Sequence, residues 1–115
     1  MTTITIEPSP RRVRVSFNGR TIADTDRALT LREGSYPPVL YVPREDADMS
    51  LLRRTTRTTR CPYKGEASYF TVDADGRTAE NAVWSYEAPL ESVAAIRGHL
   101  AFYPDRVEIS EEPAS

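Results

Sequence analysis

The sequence predicts a mainly β domain built from short antiparallel strands, with one short helix in its C-terminal half. Apolar and polar residues alternate along residues 11–17, so that Val13, Val15 and Phe17 share one face. Asn18-Gly19 follows directly, and this dipeptide is the strongest short signal for a two-residue hairpin because both turn positions must tolerate positive φ. Turn-forming residues then recur about every ten residues, the spacing of all-β domains.

The remaining strands are predicted from apolar runs bounded by turn-forming residues. They cover residues 20–24, 28–31, 39–42, 66–72 and 77–86, the last two joined by a turn at 73–76. Pro43 ends the strand before it and opens one or two helical turns within residues 44–52.

A helix is predicted over residues 89–97, because Pro89 suits a first helical position and Gly98 suits a helix end. Four residues fall at helical spacing, namely Leu90, Val93, Ala94 and Arg97. Residues 100–109 are expected to form a last hairpin around Pro104-Asp105. Residues 1–10 and 111–115 are predicted to be loose termini, so that a single domain spans residues 11–110.

The charge balance argues against nucleic-acid and membrane partners. Fifteen Lys and Arg face seventeen Asp and Glu, a net charge of -2, which gives no global field toward phosphate or anionic lipid. A lone cysteine does not imply an oxidising compartment, and the N-terminus lacks the basic start and apolar run of a signal peptide. The sequence therefore favours a cytoplasmic protein, with homo-oligomerisation left open.

The sequence predicts neither a metal site nor a cofactor. The string Asp73-Ala74-Asp75-Gly76 is similar to part of a calcium loop, but Ala82 stands where the bidentate acid is needed, so a hairpin turn is expected. One cysteine and one histidine cannot supply the four ligands of structural zinc.

A basic run is the strongest local feature, with threonines between its members Arg53, Arg54, Arg57, Arg60 and Lys64. Guanidinium groups bind carboxylate or phosphate through paired hydrogen bonds. The alternative is a solvated edge strand whose charges discourage sheet-to-sheet aggregation.

Aromatic residues near this run predict a ligand pocket. Trp84 and Tyr86 share a strand face, and aromatic walls with a few donors suit a small, flat ligand. We expect one pocket with Arg57 or Arg60 at its mouth and these residues in its walls: Cys61, Tyr63, Lys64, Trp84 and Tyr86. Lys64 would hold an anionic group, and Lys64→Ala is expected to leave stability nearly unchanged.

Cys61 could instead be a nucleophile with His99 as its base, since Arg60 and Lys64 flank the thiol. A lone cysteine is more often a small buried hydrophobic residue.

Several segments in this order resemble the bacterial family catalogued as domain of unknown function 427, over residues 11–110. They are Tyr41-Val42-Pro43-Arg44-Glu45-Asp46, Thr59-Arg60-Cys61-Pro62-Tyr63-Lys64-Gly65, Ala82-Val83-Trp84-Ser85-Tyr86 and Ile96-Arg97-Gly98. The resemblance implies a compact two-sheet domain, with a tent-like arrangement as one option, and a nucleotidyltransferase label that some members carry. It implies no particular substrate.

A nucleotidyltransferase would place Gly-Ser before a helix and an Asp-x-Asp pair about ten residues later. Gly34-Ser35 and Asp46-Ala47-Asp48 match that string, but three prolines interrupt the segment where a helix N-terminus should hold phosphate. We therefore expect a proline-rich loop and a solvated acidic turn.

The sequence thus predicts a small domain that binds a small anionic or nucleotide-like ligand, with no catalytic residues assigned. Two alternatives stay open. One is an enzyme, either a nucleotidyltransferase or a Cys61-dependent transferase, and the other is a protein-interaction domain that uses the Arg-Thr segment as an exposed edge.

Overall fold

The computed structural model describes residues 3–113, which form ten strands in three antiparallel sheets. The strands are β1 (Ile4–Pro8), β2 (Arg11–Phe17), β3 (Arg20–Thr25), β4 (Leu29–Glu33), β5 (Val39–Tyr41), β6 (Leu52–Cys61), β7 (Gly65–Ala74), β8 (Arg77–Ser85), β9 (Ala101–Phe102) and β10 (Glu108–Pro113). The sheets have the orders β1-β4-β5, β10-β2-β3 and β6-β7-β8-β9. The mainly β prediction is confirmed.

The structure has three sheets where two were expected, and the N-terminal segment adds a strand to one of them. Residues predicted as a loose lead-in form β1, which pairs along its whole length with β4, from Ile4 opposite Glu33 to Pro8 opposite Leu29. Ile4 and Ile6 alternate with polar residues and pack against the core, so period-2 patterning was present in a segment that its prolines obscured.

The predicted hairpins at Asn18-Gly19 and at residues 73–76 are confirmed, and the second also has a two-residue loop, Asp75-Gly76. Asn18 and Gly19 have φ of 53° and 76° between β2 and β3, and Asp75 and Gly76 have φ of 53° and 86° between β7 and β8. Positive φ at both positions is the geometry that matches strand twist in a tight hairpin. The predicted helical turns after Pro43 are present as two 3-10 turns, at Arg44–Asp46 and Met49–Leu51.

The predicted helix over residues 89–97 is wrong in type and length. The chain instead forms 3-10 turns at Glu91–Ile96, and Val93 breaks them with φ -125° and ψ 28°. Only Val93 and Ile96 are buried there, and their spacing of three residues suits a 3-10 turn, whereas Leu90 stays 43% exposed. Gly98, at φ 70°, follows these turns. None of the helices within residues 3–113 is long and apolar enough to cross a membrane.

The predicted last hairpin is also wrong. β9 pairs with β8, while β10 leaves for another sheet and pairs with β2, placing Ile109 opposite the buried Val15. Val107 is buried at the crossing, which anchors the chain between the two sheets. β10 also continues through Pro113, into the tail predicted to be loose, and residues 114–115 of that tail lie outside the described residues.

The core consists of two clusters, one of which is rich in aromatic residues. The first joins β2, β3, β7 and β8 through aliphatic side chains such as Val13, Ile22 and Val72. The second contains Tyr41, Tyr69 and Tyr86 with Trp84 and Tyr103 packed against it. This aromatic cluster borders the cavities described next.

Candidate functional site

A cleft of about 830 Å³ lies where the three sheets meet. Its walls come from β2, β5, β8, β9 and β10, from Glu33 at the end of β4, from the loop Tyr36-Pro37-Pro38, and from the turn at residues 61–64. Most of its lining is apolar or aromatic. We call this space the central cleft.

A smaller cavity of about 250 Å³ adjoins the central cleft, and we call it the aromatic chamber. The two spaces share six lining residues: Glu33, Tyr36, Pro37, Val39, Lys64 and Trp84. The chamber adds four tyrosines, namely Tyr41, Tyr69, Tyr86 and Tyr103. Because the shared residues form a common wall, the two spaces constitute one candidate site.

The structure brings together most of the predicted site residues. Cys61, Tyr63, Lys64 and Trp84 line the central cleft, and Tyr86 joins Lys64 and Trp84 in the aromatic chamber. Trp84 and Tyr86 therefore line the same space, although β8 ends at Ser85 and Tyr86 lies just after it.

The turn after β6 sets the position of Lys64. The amide of Lys64 donates to the carbonyl of Cys61 at 3.3 Å, and the carbonyl of Lys64 accepts from the amide of Leu90 at 3.0 Å. Gly65 has φ 113°, a conformation that side chains rarely adopt, and its α-carbon faces residues 88–90. Glycine thus allows the turn to lie against the following loop and to direct Lys64 inward.

Arg57 and Arg60 lie elsewhere. Neither lines the central cleft or the aromatic chamber. Arg57 borders a third cavity, on the other side of Tyr69 and Tyr103. Both are exposed residues of the edge strand β6.

Lys64 forms an ion pair within the protein, a partner that was not anticipated from the sequence, which assigned Lys64 to an anionic group of the ligand. Its Nζ donates to Glu33 Oε1 at 2.7 Å, and the two side chains are only 11% and 17% exposed. Burial favours the neutral amine, yet the Glu33 hydrogen bond and the neighbouring Cys61 and Tyr86 together raise the pKa of Lys64 above its ordinary value. The site therefore contains a largely buried ammonium–carboxylate pair.

Sequence reasoning missed Glu33, although a signal was present. Leu29, Leu31 and Glu33 occupy alternate positions of β4, so Glu33 shares the face of the buried Leu31. A carboxylate on an inward strand face requires a cationic or hydrogen-bonding partner.

Trp84 is held in place by two neighbouring tyrosines. Its Nε1 donates to the Tyr41 hydroxyl at 3.3 Å, with the two rings edge to face at 87°. Tyr103 packs on the indole with ring centroids 4.5 Å apart. Burial raises the pKa of Tyr41 to about 12, and the hydrogen bond together with the two ring contacts fixes the orientation of the indole.

Tyr69 stands at the junction of the aromatic chamber and the third cavity. Its hydroxyl lies 2.9 Å from Thr59 Oγ1, and the Arg57 guanidinium lies 4.9 Å from its ring centroid. Burial acts to raise the pKa of Tyr69, but hydrogen bonds from Thr59 and Tyr103 and the Arg57 charge lower it overall. Burial and the interaction with Tyr69 raise the pKa of Tyr103 to about 12.

The nucleophile–base pair suggested by Cys61 and His99 is not assembled. Cys61 is half-buried in the central cleft, whereas His99 does not line it, and the His99 Nδ1 lies 3.1 Å from the carbonyl of Arg97.

The nucleotidyltransferase string does not form a phosphate-binding arrangement either. Gly34-Ser35 lies in the turn between β4 and β5. Asp46 accepts from Thr25 Oγ1 at 2.7 Å, and Asp48 accepts from the amide of Ser50 at 3.1 Å to cap a 3-10 turn. The two carboxylates have structural partners, in agreement with the expected loop and acidic turn.

The basic run lies on an edge strand and is partly neutralised there. Arg53 pairs with Asp73 at 3.0 Å, and Arg54 pairs with Glu87 at 2.6 Å. The Arg54 hydrogen bond, reinforced by Ser68 and by the nearby Arg44, lowers the pKa of Glu87 to about 2.

Fold and site together define a mainly β domain with a central cleft and a buried ion pair in its wall. A family model described as a domain of unknown function, DUF427, matches residues 5–113, and the chain belongs to that family. The short label of that family model refers to NTP transfer. No curated protein matches the chain.

Proposed function

We propose that this protein is a small-molecule-binding module whose central cleft holds a flat, nucleobase-like ligand. The observation that supports this most is the cleft itself, a space of about 830 Å³ with mainly apolar and aromatic walls around one buried polar pair. Binding sites for small organic ligands have this size and this combination of apolar walls with few polar groups.

Exposed aromatic side chains at the rim support the same function. Tyr36 is 70% exposed and Tyr63 is 49% exposed, and both line the central cleft. Large apolar side chains that stay exposed around a cavity contribute little to the stability of the fold, and contiguous patches of them often form binding sites. A flat ring between them and Trp84 would cover this surface.

The charges of the cleft favour an uncharged ligand over the anionic one expected from the sequence. Its charged lining residues are Lys64, Glu33 and Glu111, one cation against two carboxylates. Lys64 already donates to Glu33, so the pair offers further N–H donors beside a carboxylate acceptor. A ring edge with both hydrogen-bond donors and acceptors complements this pair, and nucleobases have such edges.

Tryptophan fluorescence tests the proposal directly, because Trp84 is the only tryptophan of the chain. We expect saturable changes in its emission on titration with adenine or uracil. Tyr36→Ala should weaken binding roughly two- to tenfold, which corresponds to the loss of one aromatic contact.

Leu90→Ala is the matched control, since Leu90 is an exposed apolar residue outside both cavities. It should bind like the parent protein. The proposal would be contradicted if Tyr36→Ala and Leu90→Ala weakened binding equally, or if neither adenine nor uracil gave a saturable change in Trp84 emission.

Cys61 supports a second candidate function, a transferase that uses the thiol. The side chain is half-buried in the cleft, and Lys64 is a close neighbour of its sulfur. Reactive cysteines commonly lie beside a basic side chain. Loss of an identified activity in a folded Cys61→Ser variant would favour this candidate over simple binding.

The edge strand β6 supports a third candidate, a protein-interaction domain. Its outer edge is open in the four-stranded sheet, and most of its side chains are exposed. An extended partner strand could add to such an edge through main-chain hydrogen bonds. The ion pairs that already occupy Arg53 and Arg54 make this surface less available to an acidic partner.

A further inference from the structure

A third cavity of about 460 Å³ lies beyond Tyr69 and Tyr103, and we call it the polar cavity. Its remaining lining residues are all polar or charged: Arg57, Glu80, Asn81, Asp105 and Arg106. Two guanidinium groups and two carboxylates thus surround one space, which distinguishes it from the apolar central cleft.

The four charged groups are not paired with one another or with other residues of the described chain. None of them lies within 4.0 Å of an opposite charge, although nine such ion pairs occur elsewhere within residues 3–113. On the same strand as Arg57, Arg53 and Arg54 each have a carboxylate partner. The polar cavity therefore offers two cations and two anions to a ligand.

Neighbouring groups hold part of this cavity in place. The Arg57 guanidinium lies over the Tyr69 ring, with its central carbon 4.9 Å from the ring centroid, and a guanidinium has several N–H donors with which to bind a ligand. Asn81 is fixed from the strand side, because its Oδ1 accepts from Thr55 Oγ1 at 2.6 Å. The Tyr69 and Tyr103 hydroxyls add neutral donors and acceptors on the inner wall.

We propose that the polar cavity is a second binding site, independent of the central cleft, that takes a small zwitterion such as a free α-amino acid. The ligand carboxylate binds Arg57 and Arg106, because guanidinium and carboxylate form paired, charge-assisted hydrogen bonds. The ligand ammonium binds Glu80 and Asp105. A ligand with only one charge satisfies half of the lining groups and is opposed by the other half.

A nitrogen-15 NMR titration with L-glutamine tests this assignment and locates the site. We expect saturable shifts at the amides of Arg57, Asn81 and Asp105. Two analogues isolate the charges: glutaramate lacks the ammonium, and 4-aminobutanamide lacks the carboxylate. Each should bind at least about tenfold more weakly, a difference of about 1.4 kcal/mol.

Matched variants complete the experiment. Arg57→Gln and Glu80→Gln should each weaken L-glutamine binding by at least about tenfold, equivalent to about 1.4 kcal/mol. Arg60→Gln should leave it unchanged, because Arg60 is an exposed arginine of the same strand outside the polar cavity. All three positions are exposed, and the NMR spectrum of each variant reports whether it is folded.

Three results would overturn the proposal. They are the absence of saturable shifts with L-glutamine, equal binding of either analogue, and unchanged binding by Arg57→Gln. The L-glutamine titration does not depend on whether adenine binds in the central cleft, so either proposal can fail while the other stands.

Discussion

The buried pair between Lys64 and Glu33 gives the sharpest stability prediction. Lys64→Met keeps the aliphatic stem and removes the ammonium, which leaves Glu33 unpaired at 17% side-chain exposure. Breaking a buried ion pair from one side typically costs about 3 to 5 kcal/mol. Because this pair borders a cavity that solvent can enter, we expect the lower end, about 3 kcal/mol.

Urea unfolding followed by Trp84 fluorescence measures this free energy. Two further variants separate the ion pair from general effects of substitution. Glu33→Met combined with Lys64→Met should restore most of the stability, to within about 1 kcal/mol of the parent, since it removes both charges together. Arg20→Met disrupts an exposed pair with Asp75, whose side chains are 48% and 54% exposed, and should cost less than about 1 kcal/mol.

A cost for Lys64→Met as small as that for Arg20→Met would refute the reasoning. So would a double variant less stable than Lys64→Met alone. A large cost also means that Lys64→Ala cannot serve as a test of binding with unchanged stability, as the sequence alone suggested. Tyr36, which is exposed, is the better position for that purpose.

Three other predictions follow from single residues. Glu87 has a pKa lowered from 4.5 to about 2, so it stabilises the fold above about pH 4.5 and this stabilisation is lost as the pH falls toward 2. Glu87→Gln should reduce the free energy of unfolding at neutral pH by about 1 to 2 kcal/mol, a figure discounted because the side chain is about one-third exposed. The substitution should also reduce the loss of stability between pH 4.5 and 2, and an unchanged loss in that range would contradict the prediction. Gly76→Ala should lower the free energy of unfolding in urea by about 1 kcal/mol, because φ is 86° at this position, a conformation that residues with a side chain rarely adopt. The space around the α-carbon is open, so no steric clash adds to this cost, and an equally stable variant would show that the turn relaxes. Cys61→Ser should keep adenine binding within about threefold of the parent if the thiol only packs against the ligand, and complete loss of binding in the folded variant would show a larger role.

Local patterning predicted the hairpins, because the two strands of each hairpin are joined by a short turn of recognisable chemistry. Asn18-Gly19 and Asp75-Gly76 require positive φ at two successive positions, and the neighbouring residues alternate in polarity, so both hairpins could be derived without tertiary information. The pairing of β10 with β2 joins residues more than ninety positions apart in the chain. No local signal distinguishes it from a hairpin with β9, and burial of Ile109 against Val15 decides it.

The aromatic and turn residues of the candidate site could be predicted from the sequence, but the pairing of its charged side chains could not. The segment from Cys61 to Gly65 and the Trp84–Tyr86 strand could be joined from alternation and from the bend at Pro62 and Gly65. The partner of Lys64 could not be chosen by spacing, because Glu33 reaches it from a different sheet. Arg57 was misplaced because its edge strand turns it toward Tyr69 and away from the cleft.

The claim that the central cleft binds a flat ligand is tested most directly by a crystal structure of the protein soaked with adenine. The account predicts ring density in the central cleft, in contact with Trp84 and Tyr36, with a polar edge within hydrogen-bond distance of Lys64 or Glu33. Density for adenine only outside the cleft, or an empty cleft at saturating adenine, would contradict it.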